Sequence, residues 1–336
     1  MSRDTELAIQ HPDWFYWIRS EDASTYAKPD FSNETLSEIH ARIQLQNFTH
    51  LPAPDESYKN KFVQALSSVR TDTGEIQGIT SDGTVCVLPP AFADYPPNDP
   101  QPSWDDITYL KFHTHASFNY VAYNTIRIYD EELQNPDTFS APLWKHIEGV
   151  VFTWKKNYNL DGAFLDMSHA LPYQLRRAIM KRARRTDEAF AFIDESFDIS
   201  ATAQEQGFNA VVGNVWLAAQ RIDTLLERLD GLRNSTTTVS FLATPDTHNT
   251  PRVAMRHGTD DIKSIYSLLS DIPNGIPFVT SGSEFGERTP INTGLTFSNE
   301  ETETYPASRL PLFSSCALDW KNADAEIINH IRSLFR

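Results

Sequence analysis

From residue 139 onward the chain repeats one pattern: a short apolar run, then a longer stretch with apolar residues at every third or fourth position. The runs are GAFLDM (162–167), AFAFID (189–194), AVVGNV (210–215), VSFLAT (239–244) and IPFVTS (276–281). Helical periodicity covers 140–158, 172–185, 199–206, 216–232, 260–271 and 323–335. Helix 140–158 has Ser140 as its N-cap, Pro142 in its first turn and an apolar stripe of Trp144, Ile147, Val151 and Trp154. Apolar strands alternating with amphipathic helices predict an α/β fold, a parallel sheet covered by its crossover helices.

Residues 1–138 lack that regularity. Helical patterns run over 33–47 and 55–69, and the apolar run VCVL (85–88) leads into 89–102, where six prolines fall within 14 residues. Proline fixes φ and donates no hydrogen bond, so 89–102 is expected to be loop. The region reads as an irregular, mainly helical excursion without an obvious core, and the domain boundary is placed between 138 and 139.

Charge excludes one class of partner. With 29 Lys and Arg against 45 Asp and Glu the net charge is −16, the opposite of the basic footprint a nucleic-acid binder needs. Two cysteines, Cys86 and Cys316, make no disulfide framework and are expected to be reduced. The opening MSRDTELAIQHPDWF lacks a signal-peptide core, and no run reaches the roughly 18 apolar residues of a membrane span. A cytoplasmic protein with no membrane partner is the expectation.

In parallel α/β folds chemistry gathers at the carboxyl ends of the strands. The first run ends at Asp166, followed by Ser168 and His169, and the second ends at Asp194 and Glu195. The fourth enters TPDTHNTPR, with Asp246, His248, Asn249 and Arg252, and the fifth enters GSEFGER, with Glu284. If the first two strands are neighbours about 4.8 Å apart, Asp166 and Glu195 stand at equal heights. Their carboxyls would then be separated by roughly 5–5.5 Å, the spacing of a retaining glycosidase pair. The alternative is that these carboxylates cap helices or pair with arginine.

Taken together, the segments NDPQPSWDDITYL, DGAFLDMSHALP, AFIDES, THNTPR and GIPFVTSGSEFGE resemble, in content and order, the α-amylase superfamily (glycoside hydrolase family 13). Its maltosyltransferase branch is the most similar. The resemblance implies strands four to eight of a (β/α)8 TIM barrel. It implies Asp166 as nucleophile on strand four and Glu195 as acid/base on strand five. His248 and Asn249 stand at the family's His-Asp pair, Arg252 at the arginine that follows, and His169 on the acceptor side. Asp246 is a substitute for the missing aspartate if the register slips by three. Glu284 reads as structural. The implied partner is an α-1,4-glucan or maltooligosaccharide, and no cofactor is implied.

Two positions depart from the family pattern. Phe164 stands two residues before the nucleophile, where the family carries arginine; burial beside it is expected to raise the pKa of Asp166. Asn249 stands where the family carries aspartate, and an amide is not a second anionic acceptor. The resemblance also begins after strand three and stops before the family's β-sandwich. Completion of the barrel by a second chain or another copy is therefore an expectation.

Other features have blander readings beside the functional ones. The HTH at 113–115 offers two imidazoles but no further ligands nearby in sequence, so no metal is expected. The run RRAIMKRARR (176–185) reads as the solvated face of a helix whose buried stripe is Leu175, Ile179 and Ala183. Trp14–Trp17, Trp104 and Trp216 suit either a sugar-stacking platform or the core. Two functions follow. One is a retaining glycosidase or glycosyltransferase of carbohydrate metabolism acting by double displacement. The other is a catalytically degraded or truncated homologue that at most binds glucan.

Overall fold

A computed structural model describes residues 3, 5–27, 31–44, 55–72, 74–91, 107–113, 120–122, 127–129, 136–168, 171–236, 238–304 and 317–335. The chain forms two compact units, one of residues 1–160 and 167–188, the other of 161–166 and 189–336. These units do not follow the 138/139 boundary.

The first unit holds helices α1 (Glu6–Gln10), α2 (Asn33–Gln44), α3 (Glu56–Lys59), α4 (Ala141–Tyr158) and α5 (Tyr173–Arg184). It also holds strands β1 (Trp17–Arg19), β2 (Phe62–Val63), β3 (Ser68–Arg70), β4 (Gln77–Ile79), β5 (Val85–Val87), β6 (Tyr120–Ala122) and β7 (Arg127–Tyr129). β1–β5 form an antiparallel sheet in the order β2-β1-β5-β4-β3, and β6 pairs with β7. Within residues 1–138, expected to be irregular and mainly helical, short strands thus stand beside the helices. The helix expected over 55–69 stops after α3, and the chain enters β2 and β3 instead.

The hairpin between β4 and β5 turns on Ser81-Asp82-Gly83, where Gly83 at φ 86° takes the left-handed conformation and donates to Thr80 O at 3.1 Å. The region also has a core: Trp14, Phe15, Trp17, Ile18, Tyr58, Phe62, Cys86 and Leu88 are buried. Trp14 stacks on His11 with ring centroids 3.9 Å apart, which settles Trp14 and Trp17 as packing residues. Trp104 and Cys316 lie outside the described residues.

Helix α5 buries Leu175, Ile179 and Ala183 as expected, together with Met180 and Arg176. Its Arg182 reaches Glu148 on α4 at 3.7 Å, and Lys155 of α4 reaches Asp187 at 3.3 Å. One residue of the basic run, Arg182, thus pairs with the neighbouring helix α4. The stripe expected on α4 is only partly realised: Leu143 is its fully buried residue, Trp144 is half-buried, and Trp154 is 57% exposed.

The second unit contains β8 (Gly162–Leu165), β9 (Ala191–Asp194), β10 (Ala210–Val211), β11 (Ser240–Ala243) and β12 (Gly275–Pro277). Its helices are α6 (Ala201–Glu205), α7 (Val215–Ala218), α8 (Ile222–Arg233), α9 (Val253–Arg256), α10 (Thr259–Ser270), α11 (Asn299–Glu303) and α12 (Ala325–Leu334). All neighbouring strands are parallel, in the order β12-β11-β10-β9-β8. A doubly wound sheet reverses its strand order at a switch point; this one follows the chain without reversal, as consecutive units of a (β/α)8 barrel do. The α/β prediction therefore holds, and all five apolar runs become strands. The helix expected over 216–232 divides into α7 and α8 because Arg221 takes an extended backbone, φ −143°, at the N-cap of α8.

The core of this unit packs sheet against helices through Phe192, Val211, Phe241, Leu225, Leu229, Ile265 and Leu269, all at most 1% exposed. Trp216 belongs to it, 3% exposed, with its indole N–H donating to Gly213 O at 2.7 Å. Among the described residues β8 and β12 each have one strand neighbour. Their apolar side chains are correspondingly open: Phe164 is 42% exposed, Ile276 39% and Phe278, just past β12, 41%.

Candidate active site

Strand register brings the two carboxylates level. In the β8–β9 pairing Leu165 lies opposite Asp194, and the next residues are Asp166 and Glu195. The Glu195 N–H donates to Leu165 O at 3.3 Å, extending the ladder one step past the strand ends. Met167 then takes φ 47°, an uncommon conformation for a residue with a side chain, and turns the chain out of the strand immediately after Asp166.

His248 enters from the turn after β11. Donor atoms of Asp166, Glu195 and His248 lie within 4.8 Å of one another. Asp166 is exposed, while Glu195 and His248 are half-buried. Burial holds the His248 imidazole below its usual pKa, and the Asp166 carboxylate pulls the other way. The arrangement is a pair of carboxylates, one open to solvent and one sheltered, with an imidazole favoured in its neutral form beside them. Two carboxylates and an imidazole are also donors of the kind that hold a divalent cation.

The other sequence candidates divide. Asn249 is adjacent to His248, and its amide oxygen accepts from Asn292 Nδ2 at 2.9 Å. Asp246 is fully buried. Its carboxylate accepts the Ser283 hydroxyl at 2.7 and 2.6 Å and the Val253 N–H at 2.9 Å. Burial raises its pKa, opposed by those bonds and by the Arg252 charge. The Asp246 carboxylate is thus enclosed by protein donors on Ser283 and Val253. Arg252 is 1% exposed and donates from Nε to Thr289 O at 3.1 Å. His169 lies outside the described residues.

Phe164 and Asp166 are both exposed, so Asp166 is not buried beside Phe164. Glu284 folds back on its own turn, accepting the Gly282 N–H at 2.7 Å, in keeping with a structural role. His113 is buried and stacks edge-on against Phe139 and Trp144; His115 lies outside the described residues. Sequence reasoning missed Ser283 and Asn292. Ser283 stood inside the GSEFGE segment, but nothing in the string says that its hydroxyl meets Asp246.

No family profile matches the chain, and no curated protein matches it. Solved structures do. A cyclic α-maltosyl-(1→6)-maltose hydrolase from Arthrobacter globiformis, in complex with maltose, is similar at 16% identity and a TM-score of 0.45, over 73% of this chain and 51% of that one. A debranching enzyme from Nostoc punctiforme is similar at 16% identity and a TM-score of 0.42, over 59% and 44%. An Anoxybacillus α-amylase is similar at 14% identity and a TM-score of 0.45, over 64% and 46%. The chain spans about half or less of the length of these structures.

Proposed function

We propose that the chain is a member of the α-amylase superfamily whose site processes α-1,4-glucans or maltooligosaccharides by a retaining double displacement. The observation that carries this reading is the convergence of Asp166, Glu195 and His248 within 4.8 Å beyond the ends of β8, β9 and β11 of one parallel sheet. A retaining pair stands about 5–5.5 Å apart, whereas an inverting pair needs roughly 6.5–9.5 Å to admit a water between acid and base. The ordered motifs DGAFLDM, AFIDES and THNTPR support it at the level of sequence.

In this mechanism the exposed Asp166 attacks the anomeric carbon while the sheltered Glu195 protonates the departing glycosidic oxygen. Glu195, now a carboxylate, then deprotonates the incoming water or acceptor sugar, which displaces Asp166 with net retention. Hydrolysis and maltosyl transfer differ only in that second acceptor. Neutral His248 is placed to hydrogen-bond a sugar hydroxyl without competing for the nucleophile's charge.

A second reading, a degraded homologue that binds glucan without turning it over, is favoured by Phe164. A phenyl ring supplies neither charge nor donors to Asp166. One experiment separates the two: maltoheptaose incubated with the purified chain, its products resolved by chromatography. The glycosidase reading expects shorter or rearranged oligosaccharides, lost in Asp166→Asn. Binding by calorimetry with no product, restored to turnover by the Phe164→Arg, Asn249→Asp pair, supports the degraded homologue. Neither product nor binding overturns both.

A further inference from the structure

The turn that carries His248 is held by the segment following β12 at five points. Thr280 Oγ1 donates to Asp246 O at 2.9 Å, and the Ser283 hydroxyl donates to the buried Asp246 carboxylate at 2.6–2.7 Å. Arg252 Nε donates to Thr289 O at 3.1 Å, Asn292 Nδ2 to Asn249 Oδ1 at 2.9 Å, and the Leu295 N–H to Asn249 O at 2.7 Å. Asp246 also gathers its own turn, taking Thr244 Oγ1 on its carbonyl at 2.8 Å and the Val253 N–H on its carboxylate at 2.9 Å. Ser283 is fully buried and Asn292 is 4% exposed.

Inside the protein such bonds are strong because water does not compete for them, and a network in which each member constrains the next admits one geometry. Two further details show how tightly the two segments fit. A side chain at Gly294 would bring its Cβ to 3.2 Å from Asn249 O, and Gly282 reaches the Ser283 turn at φ 104°, a conformation open to glycine. His248 lies two residues after Asp246 and one before Asn249, bracketed by the two side chains that Ser283 and Asn292 hold.

We infer that Ser283 and Asn292 are positioning residues: through Asp246 and Asn249 they fix the 246–249 turn so that His248 faces Asp166 and Glu195. The inference rests on the proposed function for its catalytic meaning, but the placement of His248 is observable without substrate. Loss of the Ser283 hydroxyl cuts the tie between the Asp246 carboxylate and the segment after β12, leaving it only the Val253 N–H of its own turn, and lets the turn and its imidazole drift from the two carboxylates. Asn292 acts independently on the other side of His248. Its Nδ2 would donate equally to a carboxylate at position 249, so Asn249→Asp is accommodated by the same donor.

The test compares the wild type with Ser283→Ala, Asn292→Ala and the hydroxyl-retaining Ser283→Thr. The His248 ring cross-peak is read by NMR at one pH, identified by its absence in His248→Gln, and maltoheptaose conversion is read in parallel. The expected result is a shifted or broadened His248 signal in both alanine variants and its return in Ser283→Thr. Where the wild type converts maltoheptaose, kcat is expected to fall at least tenfold in each alanine variant, with KM changed less. If Ser283→Ala does not fold, Asn292→Ala is read by the same signal. Folded alanine variants with an unmoved His248 signal and wild-type conversion overturn the inference while leaving the glycosidase reading intact. A shifted signal with no conversion or binding by the wild type upholds the positioning and overturns the glycosidase reading.

Discussion

Asp246 and Asp166 are both strand-end aspartates of one parallel sheet, and their surroundings give them opposite work. Asp166 stands in solvent beside Glu195, while Asp246 is enclosed by Ser283, Val253 and Arg252. Removing the buried carboxylate in Asp246→Ala leaves the Ser283 hydroxyl and the Val253 N–H without their acceptor. Leaving a buried donor unpaired in this way is expected to cost about 1–3 kcal/mol, read as a lowered denaturant midpoint in chemical unfolding. Asp166→Asn, at an exposed position, is expected to change stability by less than about 0.5 kcal/mol in the same measurement. Apolar pattern alone does not separate the two aspartates, because each follows an apolar run and precedes a turn. Only the partner that folding brings to each one distinguishes them.

At the scale of elements, helix ends and their ties respond to pH. Asp324 caps α12, accepting the Glu326 and Ile327 N–H groups at 2.8 and 3.3 Å and the Thr259 hydroxyl of α10 at 2.7 Å. The Thr259 bond first, and then the cap, hold its carboxyl below the usual aspartate range against the opposing effect of desolvation. Arg256 grips Glu301 of α11 through Nε and Nη2 at 3.0 and 2.5 Å, and this holds the glutamate low as well.

A folded-state pKa below the unfolded one stabilises the fold above the unfolded value, and that contribution is lost as pH falls through the folded value. The contribution of these two carboxylates to the thermal midpoint is therefore expected to be constant near neutrality and to be lost as pH drops below about 4.5. Asp324→Ala, which removes the cap, is expected to lower stability by about 1 kcal/mol at pH 7 and to flatten part of that acid limb. A midpoint that rises on acidification contradicts the assignment. The helix over 323–335 was legible in the string; its cap Asp324 and the partner Thr259, 65 residues away, were not.

At the scale of the whole molecule, the two units were legible to different degrees. The five strands of the parallel sheet were read from apolar runs because burial on both faces writes itself as a continuous hydrophobic string. The antiparallel sheet of β1–β5 was missed because its strands are two or three residues long, too short for a period of two to declare itself. The sheet order β12-β11-β10-β9-β8 predicts a gradient of protection in hydrogen exchange. Amides of the interior strands β9–β11 are expected to exchange most slowly and those of β8 and β12 faster, whereas equal protection across all five would mean that the outer strands are covered.

The sequence by itself determined the alternation of strand and helix, the acidic charge and which residues end each strand, because propensity and burial pattern are local. The tertiary structure decided which of those residues meet. Register placed Asp166 level with Glu195, and the turn after β11 brought His248 to them. A hydroxyl 37 residues away in sequence enclosed Asp246, because contacts across a sheet depend on pairing that no stretch of chain encodes alone.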